Sequence, residues 1–136
     1  MKFDFQVGTS VKAHKILGKF AGRMDDEESK SKKENPKAPF EKMSDAYLFA
    51  LMLGLSRGKK SEIKKHKNYA NFSSIERDID IATLMRLLGD PEDMESKESA
   101  RKAIEEYATW GLIFMDEHLT IGLDDYRLSS LFEQMK

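Results

Sequence analysis

Residues 45–60, DAYLFALMLGLSRGKK, hold one of the most apolar runs in the chain, and it empties straight into lysines. From Ala46 to Leu55 the apolar residues leave no polar stripe at the helical period, so they cover nearly the whole circumference of a helix. A helix that is apolar all round is buried, which makes this one the centre of the molecule. Ser44-Asp45 is the candidate N-cap, and Arg57-Gly58 is the natural stop. The lysines beyond the stop suit the negative end of the helix dipole. The apolar run is far shorter than the ~20 residues needed to span a bilayer.

Other elements assemble around this helix. Residues 2–7, KFDFQV, alternate polar and apolar as a strand does, with Phe3, Phe5 and Val7 on one side. A lone short strand is marginal without a partner, so the same residues could equally be an extended arm packed on helices. From Thr9 the period changes, and Ala13, Ile16, Leu17, Phe20 and Met24 predict a helix over 10–23 capped by Thr9 or Ser10. Further helices are expected over 74–88, stopped by Gly89 and Pro91, and over 96–118, where Gly111 would permit close helix packing. After the basic stretch, NYANFSS at 68–74 reads as a turn with aromatic anchors, and Tyr126, Leu128, Leu131 and Phe132 read as a last amphipathic turn over the core. The fold expected is mostly α: a compact multi-helix bundle with a short extended N-terminal segment. Its parts are 1–24 as extended segment and helix, 25–39 as a charged flexible loop without large apolar residues, and 40–136 as the helical core.

Composition limits the chemistry. The 136 residues suffice for one core, and acids and bases nearly cancel at a net charge of -1, so any electrostatic function must be local. The absence of cysteine removes disulfides, thiolate metal sites and cysteine nucleophiles. It also fits a reducing cytoplasm, and MKFDFQV lacks the apolar core of a signal peptide. A cytoplasmic location is therefore expected. His14, His66 and His118 are far apart with no ligand partner at helical spacing, so neither a metal nor another cofactor is expected. No nucleophile elbow or dinucleotide fingerprint occurs, and GKKS at 58–61 has only the tail of a phosphate-binding loop, after a helix rather than a strand. The chain reads as a protein without catalytic activity.

Two constellations remain. Arg57, Lys59, Lys60, Lys64, Lys65 and Lys67 could contact DNA phosphates, each contact releasing counterions and adding salt-dependent affinity. The alternative is a solvated helix end, favoured by the excess of lysine over arginine. Trp110, with Tyr107 and Phe114 at helical spacing, could form an aromatic face for a partner protein, against the alternative of core packing.

The segments MSDAYLFALMLGLSRGKKSEIKK, NFSSIERDIDIATLMRLLGD and IEEYATWGLIFMDEHL, in that order, resemble the small proteins of bacterial DNA phosphorothioation (dnd) systems called dnd system-associated protein 4. The resemblance covers about residues 40–119. It lies in an aspartate-led apolar helix with a basic tail, a helix with small apolar pairs, and an EEYA element followed by a glycine, here EEYATWG at 105–111. After Lys60 the chain departs from the family pattern, where a more apolar, strand-like stretch is expected. The resemblance implies an accessory role in a sulphur-modification or linked restriction system, and carries no catalytic residues with it. Two readings stay open: an accessory protein that binds DNA or a partner of that system, and a helical adaptor or regulator with no nucleic-acid contact.

Overall fold

The computed structural model describes residues 3–21, 40, 42–76 and 80–118. In chain order the elements are β1 (Gln6–Ser10), α1 (Val11–Phe20), α2 (Met43–Arg57), β2 (His66–Asn71), α3 (Ile81–Leu88) and α4 (Lys97–His118). Short 3-10 turns at Phe72–Ser74 and Pro91–Met94 precede α3 and α4. The expectation of a mostly helical protein with an extended N-terminal segment holds, with a small two-stranded sheet added to it.

The centre is the crossing of α2 and α4. A Cβ on Gly111 would lie 2.0 Å from the Ala50 carbonyl oxygen, and one on Gly54 would lie 2.3 Å from that of Tyr107. Position 50 therefore meets 111 while 54 meets 107, so the helices run antiparallel with their backbones in direct approach. The small residues let neighbouring apolar side chains close over the seam: Tyr47, Leu51, Ile104 and Leu112 are fully buried. The close packing anticipated at Gly111 is thus realised, and Gly54 supplies its counterpart.

The termini of the central helix follow two different rules. Gly58 adopts the left-handed conformation (φ 63°), and its N–H and that of Lys59 return to the Leu55 and Gly54 carbonyls. At the other end Lys42 is the N-cap and makes no side-chain cap bond. Ser44 and Asp45, expected as the cap, lie inside the first turn, where Asp45 faces the positive end of the dipole.

Helix α1 starts as predicted, since the Ser10 hydroxyl accepts a bond of 3.1 Å from the Ala13 amide. It buries Ile16, Leu17 and Phe20 in the same apolar cluster as Val7, α2 and α4. Helix α3 is shorter than its periodicity suggests. Its N-cap is Asp80, which accepts from the Thr83 amide and hydroxyl, and these bonds pull the Asp80 carboxyl below its usual pKa. Ile75, counted with the helix on periodicity, is buried just after the 3-10 turn instead. The charged segment expected over 25–39 and the amphipathic turn over 123–136 lie outside the described residues.

The sheet was only half expected. β1 pairs antiparallel with β2, where the sequence suggested a basic loop followed by a turn. Residues 66–71 form a strand because β1 offers an edge and only one of their faces has to be covered, which their polar sequence tolerates. The resemblance, which called for a strand-like stretch after Lys60, pointed the right way. The register slips between Val7 and Gly8, so that Val7 faces Ala70 and Gly8 faces Asn68, leaving Tyr69 as the bulged residue. Tyr69 stacks on Tyr47 at 5.7 Å between centroids.

Replacing Gly111 by alanine should cost about 1–3 kcal/mol or more, because backbone rather than a movable side chain occupies the space. Gly58→Ala meets no atom within 4 Å and carries only left-handed strain, of about 1–2 kcal/mol. Urea unfolding of the two variants, followed by circular dichroism, checks that order.

Candidate nucleic-acid interface

Gly8 holds the sheet to the helices. Its N–H donates to the Glu105 carboxylate at 2.7 Å, and its carbonyl accepts from the Tyr47 hydroxyl at 2.7 Å. A Cβ at this position would sit 2.1 Å from the Lys67 carbonyl oxygen, so the strands also approach closely here. Glu105 is 7% exposed and lies 2.7 Å from Nε2 of His66 at the start of β2. Arg101 Nε approaches the same oxygen at 3.5 Å, an ion-pair distance without a hydrogen bond. One turn on, the Thr109 hydroxyl accepts from the Ser10 amide at 3.3 Å. Burial, chiefly, with the Glu105 charge second, pushes the Tyr47 phenol well above its usual pKa.

This anchorage brings β2 and its preceding loop beside α1. The Val11 amide continues the pairing by donating to the Lys65 carbonyl at 2.9 Å. Between the two segments lies an open groove of about 590 Å³. Lys12 and Lys15 line it from α1, Lys64 and Lys65 from the loop, with Glu62 as its acid and Val11 and Ile113 among its apolar lining. The four lysines are exposed and form no ion pair among the described residues.

The residues singled out as DNA contacts separate in space. Lys64 and Lys65 reach the groove. Lys59 is exposed outside its lining, and Lys67 sits in β2 opposite Thr9. Arg57 turns to α4, its guanidinium carbon 5.3 Å from the Phe114 ring centre. Lys60 serves the fold. Its ammonium is 2.7 Å from the buried Asp93 carboxylate and 5.0 Å from the Tyr107 ring centre. Asp93 also accepts from the Tyr107 hydroxyl at 3.2 Å and from the Asp90 amide at 3.1 Å. Lys60 thereby ties the loop to the 3-10 turn ahead of α4.

The aromatic trio divides as well. Tyr107 is buried beneath Lys60, and burial, chiefly, with Asp93 second, raises its phenol pKa. Trp110 and Phe114 stay half-buried and stack at 4.9 Å, with His118 continuing the row at 4.2 Å.

Lys12 and Lys15 were not singled out from sequence, although their spacing of three on a predicted helix marks one polar face. Glu105 was hidden in a charged run; Gly8, a glycine just after the strand pattern of residues 2–7, was the visible sign of a close approach there. Among the described residues no three histidine or acidic side chains gather as a metal site. None of their helices is long and apolar enough to cross a membrane.

The fold and groove thus define a small, mostly helical protein with a cationic cleft between an N-terminal helix and the loop that leads into β2, with Thr109 and Ile113 of α4 also lining it. A family model described as DNA sulphur modification system-associated protein 4 matches residues 25–135, and the chain belongs to that family. No curated protein and no solved structure matches the chain. β1 and α1, including Lys12 and Lys15, precede the matched segment.

Two measurements check this geometry. A phenol whose pKa is raised by folding stabilises the protein fully below its unfolded value near pH 10, and that contribution is lost as pH climbs toward the folded value. In an alkaline absorbance titration Tyr47 and Tyr107 should therefore ionise only together with loss of helical signal. Separately, Lys60→Ala leaves the Asp93 charge short of its cation and should cost about 1–3 kcal/mol in urea unfolding.

Proposed function

We propose that this protein is a non-catalytic accessory component of a DNA phosphorothioation system, or of a restriction or defence system linked to it, and that it contacts the DNA backbone through the α1–β2 groove. Family membership supports the association with DNA sulphur modification. The observation that carries the contact is the convergence of Lys12, Lys15, Lys64 and Lys65, from distant parts of the chain, on one open cleft. Ammonium groups without an ion-pair partner among the described residues are free to replace the counterions of a phosphate backbone. Among the described residues no aromatic ring lines the groove, so it lacks the platform on which single-stranded bases stack. Lysine rather than arginine favours charge contact over base reading. The expected mode is therefore sequence-indifferent binding to duplex phosphates, in a cytoplasmic protein working beside other components of the system.

A second reading is favoured by the Trp110–Phe114 stack. Half-buried aromatics beside Arg57 have the composition of an interface centre, which suits an adaptor that meets a partner protein and leaves DNA alone.

Duplex titrations over a range of salt separate the two. Replacing Lys12, Lys15, Lys64 and Lys65 by alanine should weaken binding about tenfold or more and reduce the log–log salt slope by about 3 to 4. Lys59→Ala should change little, and Lys60 is best left intact because of its bond to Asp93. A wild-type protein that ignores duplex DNA at low salt would overturn the first reading and leave the adaptor.

A further inference from the structure

Among the described residues the exposed large hydrophobic side chains are Val11, Leu87 and Leu88. They fall on two surfaces of opposite charge. Val11 lies in the groove rimmed by Lys12, Lys15, Lys64 and Lys65. Leu87 and Leu88, 73% and 49% exposed, end α3, where the exposed acids Glu92 and Glu95 follow, while Asp90 lies 3.9 Å from the Lys60 ammonium. Arg86 is the one basic residue of that helix. Single exposed leucines are ordinary, but an adjacent pair beside a run of acids is the complement of an apolar-lined cleft beside a run of lysines.

We propose that the α3 tip of one copy docks into the α1–β2 groove of a second copy of this chain. Leu87 and Leu88 would cover Val11 and Ile113, while Glu92 and Glu95 meet the lysines that line the groove. A cleft of about 590 Å³ is of the size that accepts a few side chains. The contact is head-to-tail, since tip and groove are different surfaces, so each copy keeps one of each for a further neighbour. It is also small, which makes the association weak and dependent on concentration and salt. Because the same lysines would bind DNA, a polyanion in the groove expels the tip. The docking rests on the charge and apolar match and does not depend on the DNA reading.

Sedimentation of the full chain from about 10 μM to about 1 mM at low salt tests this. The expected result is an average mass that rises with concentration and falls with added salt. Leu87→Ser should weaken the association about tenfold or more while leaving duplex binding unchanged. The pair Lys64→Glu/Lys65→Glu and the pair Glu92→Lys/Glu95→Lys should each abolish it, and one chain carrying all the reversals should regain it. A protein that stays monomeric at ~1 mM, or association indifferent to the groove reversals, as a tip-to-tip dimer would be, overturns the proposal. Failure of duplex binding in the same preparations overturns only the DNA reading.

Discussion

A carboxylate sealed inside the protein governs how its parts meet. Glu105 projects from α4 to the Gly8 amide and the His66 ring, while Tyr47 from α2 holds the Gly8 carbonyl. A two-stranded sheet on its own is marginal in water. Here the strands are fastened to both central helices by bonds to the backbone of one residue, where no side chain intervenes. The bond to the charged Glu105 acceptor is worth about 1.5–3 kcal/mol and the neutral Tyr47 bond about 0.5–1.5 kcal/mol, and leaving the buried carboxylate without its donor would cost at least as much as the first. The position of β2, and with it of the lysines just before it, follows from that fastening.

The antiparallel crossing of α2 and α4 sets what remains for the surface. With backbone against backbone at Gly54 and Gly111, the helices lie too close to place large groups between them. The large groups are displaced to either side of the seam. Tyr107 goes under Lys60 and Asp93, and Trp110 and Phe114 go outward beside Arg57. A basic tail that is continuous along the chain is thereby divided among three tasks: Arg57 on an aromatic ring, Lys60 in a latch, Lys64 and Lys65 on the cleft.

The helices were legible because their signals are local and mutually consistent. Ser10 caps α1, Gly58 ends α2, and the apolar spacing of α4 runs unbroken from Ala100 to Met115. β2 was illegible for the opposite reason: HKNYAN has little alternation, and its strand character comes from an edge that lies some sixty residues earlier in the chain. The shortened α3 reflects competition between periodicity and capping, won by the bonds of Asp80 to Thr83. In the groove, Lys64 and Lys65 stood out as part of a cluster, whereas Lys12 and Lys15 look like the ordinary solvated face of a helix until the fold sets them opposite the others.

Because the walls of that cleft come from opposite ends of the long connection between α1 and β2, the cleft exists only when the chain is folded. Whatever spans it is a ligand of the native state alone, and mass action then raises the melting temperature with the logarithm of its concentration. The N-terminal strand and helix would gain most, since they supply one wall and depend on contacts with the rest of the protein for their order. Occupancy and thermal resistance are thus two readings of one equilibrium.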